Sequence, residues 1–88
     1  MIETFACILR KRRKELNLSV KEFITKLSGL LASISRAYVT KLELHDEIPS
    51  KELTKKIAIA LEIDENYLLE LAKEGKRKQF EKVLNQRY

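Results

Sequence analysis

An all-α bundle is the fold class this sequence predicts, on three observations. Only two glycines and one proline interrupt 88 residues; Leu, Ile, Lys and Glu dominate; and apolar residues recur at helical spacing between residue types that cap helices. Hydrophobic residues at 44% and charged residues at 35% suit one compact core and fall short of two. About five helices fit, followed by a sixth helix or tail.

The first helix is read from Glu3 to Leu16, where Phe5, Ile8, Leu9 and Leu16 form an apolar stripe with Arg13 on the same face; Asn17 suits a left-handed stop. Ser19 caps the second helix, and Glu22 three residues on completes a capping box ahead of Phe23, Ile24 and Leu27. Its end is ambiguous: Ser28 and Gly29 read as a stop, while Leu30 and Leu31 continue the spacing. Ser35 caps a short third helix through Glu43, with Val39 and Leu42 facing inward. His45 to Pro49 reads as a loop, with His45 as a surface or left-handed turn residue. Ser50 opens a fourth helix with Leu53, Ile57, Ala58 and Leu61 on one side; Asp64 opens a fifth through Leu68, Leu69 and Leu71, with a stop near Gly75. The domain reading is therefore 1–75, with 76–88 as a helical extension carrying Phe80, Val83, Leu84 and Tyr88, for packing or dimerisation.

The chain's chemistry narrows its function classes. One His, one Cys and scattered carboxylates supply no nucleophile–base pair, phosphate-cradling glycine loop or metal-ligand spacing, so no enzyme, metal or cofactor is expected. Cys7 alone cannot close an intramolecular disulfide, the N-terminal stretch lacks the order of a signal peptide, and nothing approaches the ~18 apolar residues of a membrane span. A cytoplasmic setting with no membrane partner is expected. The formal charge of +5 favours polyanions, and the bases cluster in two blocks, Arg10 to Lys14 and Lys76 to Lys78.

The successive segments LRKRRKELNLSVKEF, ISRAYVTKLE and IPSKELTKKIAIALEIDENYLLELA resemble the helices of the lambda-repressor-like (XRE) helix-turn-helix family over roughly residues 5 to 73. The resemblance implies a double-stranded DNA partner read by the third helix, with base contacts at Arg36, Ala37 and Lys41. Residue chemistry adds Thr40: Arg36 and Lys41 can donate to guanine, Ala37 and Thr40 can touch a thymine methyl, and Ser35 or Tyr38 can meet phosphate or a base edge. By the same resemblance Arg10, Lys14 and Lys21 contact the DNA backbone, and Arg13 and Glu43 form a largely buried ion pair that fixes the recognition helix. The function implied is a homodimeric transcriptional repressor on a palindromic operator, nucleoid-associated when bound, with Leu68, Leu71, Phe80 and Leu84 as interface candidates.

Three positions depart from that family pattern. Val20 replaces a glutamine that contacts phosphate, the loop after the third helix carries Asp46 and Glu47, and about five extra residues around Gly29 to Ser33 enlarge the turn. These departures keep a second function open: a helix-turn-helix fold used for protein contacts, with Leu30 and Leu31 receiving the partner.

Overall fold

The computed structural model describes the backbone of residues 3–86 and the side chains of residues 3–80. Within them lie five α-helices: α1 (Phe5–Glu15), α2 (Val20–Gly29), α3 (Arg36–Leu44), α4 (Lys51–Leu61) and α5 (Glu65–Gln86). Each start follows from a side chain that takes up a free N–H of the first turn. Thr4, Ser19, Ser35 and Ser50 accept from the N–H three residues on, and Asp64 accepts from Tyr67 at 2.9 Å. At α2 the Glu22 carboxylate also accepts from the Ser19 N–H at 3.0 Å, closing the capping box.

The helices bury one shared core. Phe5 and Leu9 of α1, Phe23 and Leu27 of α2, and Val39 and Leu42 of α3 meet Ile57, Ala58 and Leu61 of α4 and Leu68 of α5. The α4–α5 pair is the most extensive contact, α1 lies on α3, and α2 bridges α3 and α4. Leu68 is therefore a core residue with no exposed surface, which removes it from any interface between subunits. Leu71 is half-buried and packs against the same core.

Helices α1 to α4 all end on a left-handed residue, and none of these is glycine: Asn17, Leu31, Asp46 and Glu62 have φ between 54° and 64°. After α1, α2 and α4 the chain makes the paired bonds of a Schellman turn, as in Ala32 N–H to Leu27 O at 2.9 Å and Leu31 N–H to Ser28 O at 3.0 Å. Asn17 takes the place expected of it. At the end of α3 it is Asp46 that turns left-handed, whereas His45, at φ −119°, is an ordinary exposed residue.

The C-terminal element differs from the sequence reading. No stop occurs at Gly75; α5 runs unbroken to Gln86, so 76–86 continues the fifth helix and the 75/76 boundary falls inside it. A glycine between strong helix formers costs only about 1 kcal/mol relative to alanine, too little to break a packed helix. Packing also explains why a glycine stands here. A Cβ at position 75 would lie 2.6 Å from Ile48 Cδ1, so its absence lets the α3–α4 loop close onto α5.

Candidate nucleic-acid interface

The outer face of α3 is set by its own periodicity. Arg36 and Thr40 form one i,i+4 row and Ala37 and Lys41 the next, so the four make a contiguous patch, and all four are exposed. Val39 and Leu42 occupy the opposite side and are buried. Ser35 holds the start of the helix, its Oγ accepting from Tyr38 N–H at 3.1 Å. The Thr40 hydroxyl donates to Arg36 O at 3.2 Å.

Tyr38 belongs to the core side of the helix. It is half-buried against the core, and burial, followed by the Glu47 carboxylate, raises its phenol above its usual value. Asp46 is held by its carbonyl, which accepts from the Gln79 side-chain amide of α5.

Arg13 and Glu43 meet with fork geometry. Arg13 Nε donates to Glu43 Oε2 at 2.8 Å, Nη2 donates to Oε1 at 3.1 Å, and Nη1 donates to the Leu18 carbonyl at 2.8 Å. Only 12% of the Arg13 side chain and 7% of the Glu43 side chain are exposed. The Glu43 hydrogen bond holds the guanidinium above its ordinary value against the opposing effect of burial. One side chain therefore ties the last turn of α3 to both α1 and the α1–α2 turn.

Arg10, Lys14 and Lys21 are exposed, the first two one turn apart on α1 and the third in the first turn of α2. Neither they nor Arg36 and Lys41 pair with a carboxylate among the described residues, whereas Lys11, Arg12, Lys55, Lys56 and Lys73 each do. Leaving these five cations without acidic partners keeps them available to an outside anion.

Sequence reasoning missed Arg12, whose Nε donates to the Leu61 carbonyl at 2.9 Å. Helix α4 has no basic residue in its own last turn, so a guanidinium from α1 satisfies its orphan carbonyl and complements its dipole. The absence of a base near Leu61 was the only signal the sequence held. Nothing in it said which distant cation would fill the place.

The turn between α2 and α3 spans Leu30 to Ser35, longer than the three or four residues of a tight helix-turn-helix connection. Leu30 packs against the core, while Leu31 is 89% exposed and left-handed. Lys56 of α4 donates to the Leu31 carbonyl at 3.4 Å, seating the enlarged turn on α4. Phe80 is 65% exposed, and the Leu84 side chain lies outside the described ones.

Among the described residues no helix is long and apolar enough to cross a membrane, and no group of three His, Cys, Asp or Glu is gathered as metal ligands would be. Comparison with protein-family models, curated proteins and solved structures finds no match to this chain.

Proposed function

We propose that this chain binds double-stranded DNA sequence-specifically as a helix-turn-helix regulator of the lambda-repressor-like kind, repressing transcription as a homodimer on a palindromic operator in the cytoplasm. The observation that carries the reading is the outer face of α3, where Arg36, Ala37, Thr40 and Lys41 are exposed on a helix fixed from behind by the Arg13–Glu43 fork. The major groove admits one α-helix. Arg36 and Lys41 donate to guanine O6 and N7 there, and Ala37 and the Thr40 methyl meet thymine methyls, each good pairing discriminating by about 1–3 kcal/mol. Arg10, Lys14 and Lys21 fix register through phosphates and carry no sequence information. A two-fold dimer doubles a short contact over half-sites one DNA turn apart; with Leu68 buried and Leu71 packed on the core, its interface lies elsewhere on the molecule.

Selection of bound sequences from random duplex DNA tests this reading. An enriched palindrome is expected for the unaltered chain, with preference abolished at defined positions in Arg36→Ala and Lys41→Ala. Failure to enrich any motif overturns the proposal.

One observation favours a second reading, in which the fold serves a protein contact. Leu31 is at once apolar, exposed and left-handed, a combination that costs stability and that a partner protein would justify. Under that reading Leu31→Ser abolishes partner binding while Arg36→Ala leaves it intact.

A further inference from the structure

Most of the chain's net charge lies in its last sixteen residues. Within residues 73–88, Lys73, Lys76, Arg77, Lys78, Lys82 and Arg87 are opposed by Glu74 and Glu81 alone, a balance of +4 out of the +5 carried by all 88 residues. The first 72 residues, with the α3 face among them, are close to neutral.

That charged stretch is also where α5 leaves the globule. Ala72 is the last buried residue of the helix among the described side chains, and Gly75 lies against Ile48. Gln79 is tied to the Asp46 carbonyl, while Lys76, Arg77, Lys78 and Phe80 are exposed. A helix from Glu65 to Gln86 is about 33 Å long at 1.5 Å per residue. The molecule measures 24 and 22 Å across its shorter axes and 44 Å along its longest, so the end of α5 projects. It departs beside the α3–α4 loop, where α3 ends.

We propose that the C-terminal half of α5 is a second nucleic-acid contact, a rigid basic arm that lies against the phosphates of duplex DNA flanking the segment read by α3. It adds affinity without reading sequence. The proposal shares its partner with the reading of α3 but uses none of the same residues.

The arrangement of charge selects this occupant over two others. Successive residues of an α-helix turn by about 100°, so Lys76, Arg77 and Lys78 point to three sides. A helix lying on a membrane separates a charged face from an apolar one, whereas a helix between two phosphate backbones meets anions on several sides. A second copy of the arm, residues 76–86, would bring +3 against +3. Lys73 reaches Glu70 and Arg77 reaches Glu74, but Lys76 and Lys78 form no ion pair among the described residues. The local field is positive: Arg77, with Lys78 adding to it, holds the Glu74 carboxyl below its ordinary value.

The test is a salt titration of full-length protein on a short duplex of scrambled sequence, followed by fluorescence anisotropy. The slope of log K against log salt is expected to shrink in Lys76→Gln/Lys78→Gln by about 0.9 for each phosphate no longer neutralised, about 1.8 when both lysines are engaged. Both lysines are exposed, and unchanged circular dichroism shows that the fold is retained. Arg36→Ala/Lys41→Ala, measured in parallel on the scrambled duplex and on a duplex of the selected motif, is expected to keep the arm's share of the slope on the first and to lose its preference for the second; a retained preference strikes the α3 reading and leaves the arm standing. Identical slopes for the unaltered chain and Lys76→Gln/Lys78→Gln overturn the proposal. So does tighter binding to phosphatidylserine vesicles than to duplex at equal salt. Self-association that strengthens with salt and with neutralisation of the two lysines assigns the arm to a second copy and overturns it as well.

Discussion

Replacing Arg13 by alanine removes three hydrogen bonds at once, two to the Glu43 carboxylate and one to the Leu18 carbonyl. Glu43, with 7% of its side chain exposed, is then left charged in a site without its counter-ion. Breaking a buried pair from one side costs about 3–5 kcal/mol, and the partial access of water to Arg13 puts this case near the lower end, at about 3. For a domain of this length the whole stability is about 4–13 kcal/mol, at roughly 0.05–0.15 per residue. The loss is therefore a large fraction of the total and lowers Tm by about 12–24 °C, at about 4–8 °C per kcal/mol. Thermal and urea melts followed by circular dichroism measure it. The control is Arg13→Met/Glu43→Leu, which removes both charges together and is expected to recover most of the loss. A fall of less than about 4 °C in Arg13→Ala refutes the reasoning, because it would mean that water satisfies Glu43 without help.

Three further outcomes follow from local geometry. The Ser19 backbone N–H holds the Glu22 carboxyl below its ordinary value, so the capping box adds stability above the unfolded carboxylate value near about 4.3 and loses it as pH falls through the lower folded value. Tm should drop more between about pH 5 and pH 3 in the unaltered chain than in Glu22→Gln, which keeps the hydrogen bond but does not titrate. Leu31→Gly relieves a left-handed leucine, worth roughly 1–2 kcal/mol, against about 0.5–1 kcal/mol of added unfolded-chain entropy, and so should raise stability by up to about 1.5 kcal/mol in a urea melt. A decrease there would show that the Leu31 side chain makes a contact within the fold. Gly75→Ala sets a helix-propensity gain of about 1 kcal/mol against the clash with Ile48 Cδ1. Adding Ile48→Val, which deletes that methyl, should make the double variant more stable than additivity predicts by about 0.5 kcal/mol or more, and strict additivity counts against the close approach.

The parts of the fold legible in the sequence are those decided within one turn of helix. Ser19, Ser35, Ser50 and Asp64 each take an N–H three residues away, so starts could be placed to the residue from local chemistry. The core faces of α1 to α4 were visible for the same reason, through the 3.6-residue repeat of Leu9, Leu27, Leu42 and Ile57 with their neighbours. Helix ends were harder. Leu31 and Glu62 adopt a conformation that their own side chains disfavour, and only the hydrogen bonds of the completed turn outweigh that preference. Gly75 misled in the opposite sense: it reads as a stop, yet it serves an approach to Ile48, which lies 27 positions away in the chain.

The site divides along the same line. Which side chains of α3 face outward follows from helix geometry once Val39 and Leu42 are set inward, so Arg36, Ala37, Thr40 and Lys41 could be named from the sequence. That Leu68 belongs to the core, that Arg12 caps α4 through Leu61, and that α5 runs unbroken through Gly75 were decided by tertiary structure alone. Capping and periodicity are short-range interactions that a linear string displays directly. Burial, a cation supplied by another helix and a backbone approach permitted by a missing Cβ depend on which distant segments come to lie together, and only the folded chain brings them there.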